Sequence, residues 1–172
     1  GQHAEGAAET QAAVARGRET KNPTALAGCL IVLAFHGCLS RDAQAFREAA
    51  NAASAAGRLA GNSLMISVGL GFEAWALSRL GRHDEAEARM SEAIGEADKI
   101  GGRIVAADWI AAANAELALT AGRPDEAVAP AAPAIEKARA IGGIYGGAVA
   151  QRIWGQAPAR LQPSAPGEAD LP

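Results

Sequence analysis

Two stretches of this chain repeat one another at a constant offset. Residues 80–102 read LGRHDEAEARMSEAIGEADKIGG, and residues 121–143 read AGRPDEAVAPAAPAIEKARAIGG. Gly81 matches Gly122, Arg82 matches Arg123, Ala86 matches Ala127, Ala93 matches Ala134 and Ile100 matches Ile141, each 41 residues on. Self-similarity at a fixed period of roughly 20–50 residues marks chains built from stacked supersecondary units. A chain of 172 residues has room for about four units of this length.

Carried backwards, the same period places Ala45 on Ala86, Leu59 on Ile100 and Gly61 on Gly102, so 39–61 reads as a third copy. One more step places Ala4 on Ala45 and makes 3–17 the end of a fourth. The expected layout is a single repeat domain over 1–161. It divides into a partial unit at 1–20, full units at 21–61, 62–102 and 103–143, and a partial unit at 144–161, with a flexible tail over 162–172. The chain starts and stops inside a repeat, as expected of a piece of a longer array.

Each unit reads as two helices. The second, helix B, opens on a Gly-Arg turn and an acidic first turn, His83-Asp84-Glu85 or Pro124-Asp125-Glu126. Acids and a first-position proline suit a helix start, where unpaired N–H groups and the positive end of the dipole lie. Helix B stops at Gly101-Gly102 or Gly142-Gly143. Ala86, Met90, Ala93, Ala97 and Ile100 fall at i, i+4, i+7, i+11 and i+14, one apolar stripe. Helix A covers roughly 22–38, 62–80, 103–121 and 144–157, with Asn22-Pro23 as a cap and first residue. These segments are apolar over most of their circumference, as buried helices are. The expected fold class is all-α, a two-layer α-solenoid of antiparallel helix pairs. Pro130 and Pro133 are expected to kink or shorten the third helix B, and Pro158 to interrupt the last helix A.

Composition narrows the functions open to such a chain. The net charge is −3 and the basic residues are scattered among acids, so nothing points to a nucleic-acid partner, which would ask for a clustered basic face. Leu26–Leu39 is the longest apolar run. It includes His36 and falls short of the roughly 20 residues a bilayer crossing needs, so it reads as a buried helix with no membrane partner. Cys29 and Cys38 lie nine residues apart in that run, about 13 Å along a helix and too far for a disulfide. Two unpaired thiols fit a reducing cytoplasm.

No catalytic constellation emerges. His3, His36 and His83 are scattered in the repeat register, so no metal site is expected, and no cofactor motif is present. Gly69-Leu70-Gly71 lies inside a helix A, where glycine allows close helix approach. The tryptophans carry more weight. Trp75 and Glu116 are equivalent in adjacent A helices, as are Trp109 and Val68, and Arg79 and Thr120. Trp75, Arg79, Trp109 and Glu116 are therefore the candidate ligand-binding residues, lining a groove for an amphipathic segment. The competing expectation for each tryptophan is packing between repeats.

The units resemble tetratricopeptide repeats of a long, roughly 40-residue type. The matching residues are Ala74 and Ala115 in helix A, the turn glycines Gly81 and Gly122, and the pairs Ala45/Ala52, Ala86/Ala93 and Ala127/Ala134 in helix B. The text around Ala115–Ala118, Gly122–Ala127 and Arg152–Gln156 is similar to the repeat region of bacterial ATPase-coupled adenylate cyclases and MalT-like regulators. The likeness spans roughly 20–161. Pro158 replaces the leucine that the "WGQAL" phrase of that group would carry. The resemblance implies a right-handed superhelix whose concave, A-helix face holds peptides, proteins or a small effector. The expected function is a non-enzymatic protein- or peptide-binding module, a regulatory or scaffolding segment of a bacterial signalling protein. Its competitor is a small-molecule effector sensor with a pocket between the A helices. Uncapped repeat ends add the expectation of a homodimer.

Overall fold

The computed structural model describes residues 2–102 and 106–161. They form eight α-helices: α1 (Gln2–Glu19), α2 (Pro23–Ser40), α3 (Ala43–Leu59), α4 (Ser63–Arg79), α5 (His83–Asp98), α6 (Ala107–Thr120), α7 (Pro124–Ile141) and α8 (Ile144–Leu161). No strand occurs among the described residues, and the fold is all-α. The tail at 162–172 and the expected start of the third helix A at 103–105 lie outside the described residues.

The helix ends follow from their residues. Asn22, Asp42 and Asn62 each use a side-chain oxygen to accept the N–H three residues on, at 3.1, 2.9 and 3.2 Å. Such caps satisfy N–H groups that the helix leaves open. Helices α5 and α7 lack a side-chain cap and carry two acids in the first turn instead. Between helices the backbone turns through positive φ at Lys21, Gly61, Gly101 and Gly142, and at Arg41, Gly81 and Gly122. Glycine takes this left-handed conformation without a Cβ clash, which explains the turn glycines.

Those turn positions also fix the spacing. Gly81 to Gly122 spans 41 residues, but Arg41 to Gly81 spans 40, as does Lys21 to Gly61. The buried stripes agree. In α5 they are Ala86, Met90, Ala93 and Ala97, and in α7 Ala127, Ala131, Ala134 and Ala138. In α3 they are Phe46, Ala50, Ala53 and Gly57, one residue later than a fixed step of 41 requires. Ala45 is exposed and Ala52 half-buried, so the equivalents of Ala86 and Ala93 are Phe46 and Ala53. The capping residues Asn22 and Asn62 lie 40 residues apart, one fewer than Gly81 and Gly122. Ile100 is likewise outside its expected stripe: α5 ends at Asp98 and Ile100 is exposed.

Consecutive helices pack together, except that α5 and α6 meet only slightly. Helices α2, α4, α6 and α8 also pack in a row, whereas α3, α5 and α7 make no close backbone approach to one another among the described residues. The row is the inner layer, and α4 is buried from Ile66 through Ser78. Small residues set the distance between layers. A Cβ on Gly69 would lie 2.6 Å from the Ser54 backbone nitrogen, and one on Gly37 2.7 Å from Phe46. Ser67 Oγ donates to the Ala93 carbonyl at 2.8 Å, joining α4 to α5. The outer layer is cross-tied by ion pairs, Arg58–Glu92 at 3.3 Å and Arg123–Glu87.

The prolines do not end their helices. Helix α7 continues through Pro130 and Pro133, and α8 through Pro158. Packing holds the last turn of α8: Ile153 and Ala157 are fully buried against Ala115, Leu119, Ala127 and Ala131. That burial offsets the lost backbone bond. Pro130 and Pro133 line a cleft of about 330 Å³ between α5, α6 and α7, where the helices stand apart. Helix α2 extends beyond the apolar run seen in the sequence. Its 18 residues have a mean hydropathy of 1.7, enough in length and composition for a membrane crossing, and 28% of that window is buried. It packs on α1, α3 and α4 and leaves Val32 and Leu39 partly exposed.

Candidate functional site

Six of the seven Phe, Trp and Tyr residues gather in one cluster, five from the inner row and Phe46 from α3. Trp75 is fully buried at the centre, with Phe46, Phe72, Trp109 and Tyr145 around it at ring separations of 6.0–6.4 Å. Trp109 stacks on Tyr145 at 4.5 Å and meets Phe35 at 4.3 Å. Phe35 and Tyr145 are themselves 5.8 Å apart. The cluster therefore joins α2 to α8, the first and last helices of the row. Edge-to-face and offset-stacked rings at such distances add to the area they bury.

Beside these rings the C-terminal ends of α2 and α4, Glu116 of α6 and much of α8 line a half-open cavity of about 690 Å³. Its lining includes Cys38, Arg41, Arg79, Glu116, Tyr145 and Arg152. Arg79 holds the floor. Its Nε donates to Glu116 Oε1 at 3.3 Å, and its Nη1 to the Cys38 carbonyl at 3.1 Å. The guanidinium lies over the Trp75 ring at 4.8 Å and the Phe46 ring at 5.8 Å. An arginine stacked this way is fixed in direction and keeps its charge. From the other wall, Arg152 Nη2 donates to Glu116 Oε2 at 2.8 Å, and its Nη1 to Gln156 at 3.0 Å. One carboxylate thus bridges two guanidinium groups carried by α4 and α8. Glu116 is 10% exposed at its side chain, Arg79 21% and Arg152 46%.

The ionisations follow from this packing. Burial works against the Arg79 charge, but Cys38, Glu116 and Tyr145 together hold it above the usual arginine value. Burial pushes the Cys38 thiol up, against the pull of Arg79 and a 3.7 Å contact with the Tyr145 hydroxyl. Cys38 therefore stays a thiol near neutral pH and is not poised as a nucleophile. Burial raises Tyr145 as well.

Of the four residues the sequence singles out, Arg79 and Glu116 face the cavity as a bonded pair. Trp75 lies beneath Arg79 with no exposed surface, and its Nε1 has no hydrogen-bond partner among the described residues. It packs between helices instead of lining a groove, because α3 and α8 close over it. Trp109 is half-buried between Phe35 and Tyr145. Sequence reading passes over Cys38, Arg41, Tyr145 and Arg152 as site residues. Their shared feature is that each lies on or just after α2 or α8, the first and last helices of the row.

The remaining candidates lie apart from this cavity. His36 of α2 faces Thr10 of α1, Nε2 to Oγ1 at 3.3 Å, and His83 opens α5. The His3 side chain lies outside the described residues. No group of three or more His, Cys, Asp or Glu side chains is placed to hold a metal among the described residues. Asp108, in the first turn of α6, is 1% exposed, and its Oδ2 has no partner among the described residues. A Cβ on Gly143 or Gly146 would collide with that oxygen.

Comparison with protein-family models, curated proteins and solved structures finds no match for this chain.

Proposed function

We propose that the chain is a tetratricopeptide-like solenoid that recognises a protein or peptide without chemistry, on the face of its A helices. The observation that carries this reading is the inner-row cavity, where four helices converge on the Arg79–Glu116–Arg152 bridge above a packed aromatic floor. Stacked A helices and an outer layer of B helices fit a right-handed array with a period of 40–41 residues. Arginine and tyrosine in a partly enclosed patch are the residue types that anchor interfaces. The setting we favour is a regulatory or scaffolding segment of a cytoplasmic signalling protein, in keeping with two free thiols. Effector sensing is the second reading. A volume of about 690 Å³ favours it, being within the range of small-molecule pockets.

Selection of peptides by display on the immobilised protein tests the first reading. Selected peptides should bind the parent and Arg139→Glu, an exposed outer-layer control, and lose binding to Arg152→Glu. Selection of nothing, or of peptides indifferent to Arg152→Glu, would contradict it.

A further inference from the structure

We infer that the inner-row cavity seats a dianionic group, a dicarboxylate or a phosphoryl group, between Arg41, Arg79 and Arg152, with Glu116 tuning its affinity. This rests on reading the cavity as the recognition site and names the chemistry that site takes.

Charge is the first support. The cavity is lined by three guanidinium groups and one carboxylate, a formal excess of two positive charges in a chain whose net charge is −3. A concave site of one sign concentrates counter-ions of the other. Arg41 makes no ion pair among the described residues, and Arg79 and Arg152 share a single carboxylate. Two added negative charges balance the group.

Geometry is the second. Arg79 is held from behind by the Trp75 face and the Cys38 carbonyl, and Arg152 by Gln156. Guanidinium groups fixed in direction suit carboxylate and phosphate oxygens, which accept paired N–H donors. The bridging Glu116 already shows that the site holds an oxyanion between two arginines. Tyr145 adds a hydroxyl, and Leu39 and Val149 add apolar wall for the body that carries the charge.

Arg41 supplies the third. It sits at φ 62°, a conformation that sister turns give to Gly81 and Gly122. A Cβ makes that conformation sterically unfavourable. Arg41 at this turn places its guanidinium at the cavity wall. Among the described residues of the cavity lining, Arg41 alone takes positive φ.

Calorimetry and thermal shift with succinate and with inorganic phosphate, against sodium chloride at matched ionic strength, test the inference. Saturable binding of either anion to the parent chain is expected; which one saturates identifies the group as carboxylate or phosphoryl. Arg41→Gln and Arg152→Gln change exposed side chains and should each weaken binding at least tenfold. Arg139→Gln should leave it unchanged. Glu116→Gln removes the internal competitor and should tighten binding several-fold; if that variant does not fold, the two arginine variants decide. Stabilisation that tracks ionic strength alone, or equal affinity in the parent and Arg152→Gln, would overturn the inference. Anion binding without any selected peptide would instead count against peptide recognition and leave the anion seat standing.

Discussion

The seams between the two layers and the inner row of A helices solve different packing problems. The seams are built from absence of side chain. Gly37, Gly57 and Gly69 bring backbones so close that a single added methyl meets main-chain atoms, and Ala50, Ala53, Ala86, Ala93, Ala127 and Ala134 fill the rest with almost no exposure. The inner row is built from bulk. Phe35, Phe72, Trp75, Trp109 and Tyr145 span the wider gap where A helices of successive units converge. A seam of small residues fixes distance and leaves little room for variation. A row of large rings topped by arginines fixes shape and charge, which is what recognition needs. The repeated phrase of the sequence lies in the first kind of region, and the candidate site in the second.

The largest test of this contrast is Trp75→Ala. Emptying the centre of the ring cluster should cost about 3–5 kcal/mol, read as a lower denaturant midpoint at constant slope. A loss as small as that of a surface substitution would show that the rings do not carry the row. Next comes Gly69→Ala, which overpacks the α3–α4 seam and should cost about 1–3 kcal/mol. Gly28, in open space on α2, is the control. Gly28→Ala should be neutral or stabilising by up to about 1 kcal/mol, since alanine is the better helix former. Equal effects at the two glycines would remove the case for a space-limited seam.

Asp108 tests the exception, a carboxyl buried where α6 meets α8. Burial pushes its ionisation up from 3.8. The folded chain therefore binds this proton more tightly than the unfolded chain. The group's contribution is complete below pH 3.8 and is lost as pH rises through the higher folded value. Asp108→Asn should accordingly stabilise the fold at pH 7 by on the order of 1 kcal/mol, and the difference from the parent should vanish near pH 4. A constant difference across that range would mean that Asp108 is neutral or solvated throughout. The smallest expected effect is Arg139→Ala. Its pair with Glu136 is exposed on both sides, and thermal melting should not move.

The sequence made the helices legible because alanine stripes, capping residues and turn glycines are local signals. Asn22-Pro23, Gly81-Arg82 and Gly122-Arg123 all mark real helix boundaries. The step of one residue in the first unit was not legible from the matched phrase, since alanine is common enough to satisfy two registers. Ala45 fits the small-residue pattern and Phe46 does not, yet Phe46 is the buried one. Pro158 misled for a related reason: a proline's local cost is visible in sequence, while the packing of Ile153 and Ala157 that outweighs it is not. At the site, the register placed Arg79 and Glu116 on one groove face of adjacent A helices, though it matched Arg79 to Thr120 and Glu116 to Trp75, and the ion pair between them came only with the structure. Arg152 was passed over although it meets Glu116 from the neighbouring helix α8, and Tyr145 could not be placed because α8 meets α2 across the row, a contact no local pattern encodes.

That long-range meeting is the claim on which the site depends. Proton NMR with assigned aromatic side chains measures it directly, through cross-relaxation between the rings of Phe35, Trp109 and Tyr145. Centroid separations of 4.3 and 4.5 Å require strong cross-peaks from Trp109 to both partners. Trp154, exposed on α8, should show none to these rings. Strong Phe35–Trp109 and Trp109–Tyr145 peaks would support a cavity closed by α2 and α8. Their absence, with the helices intact, would contradict it.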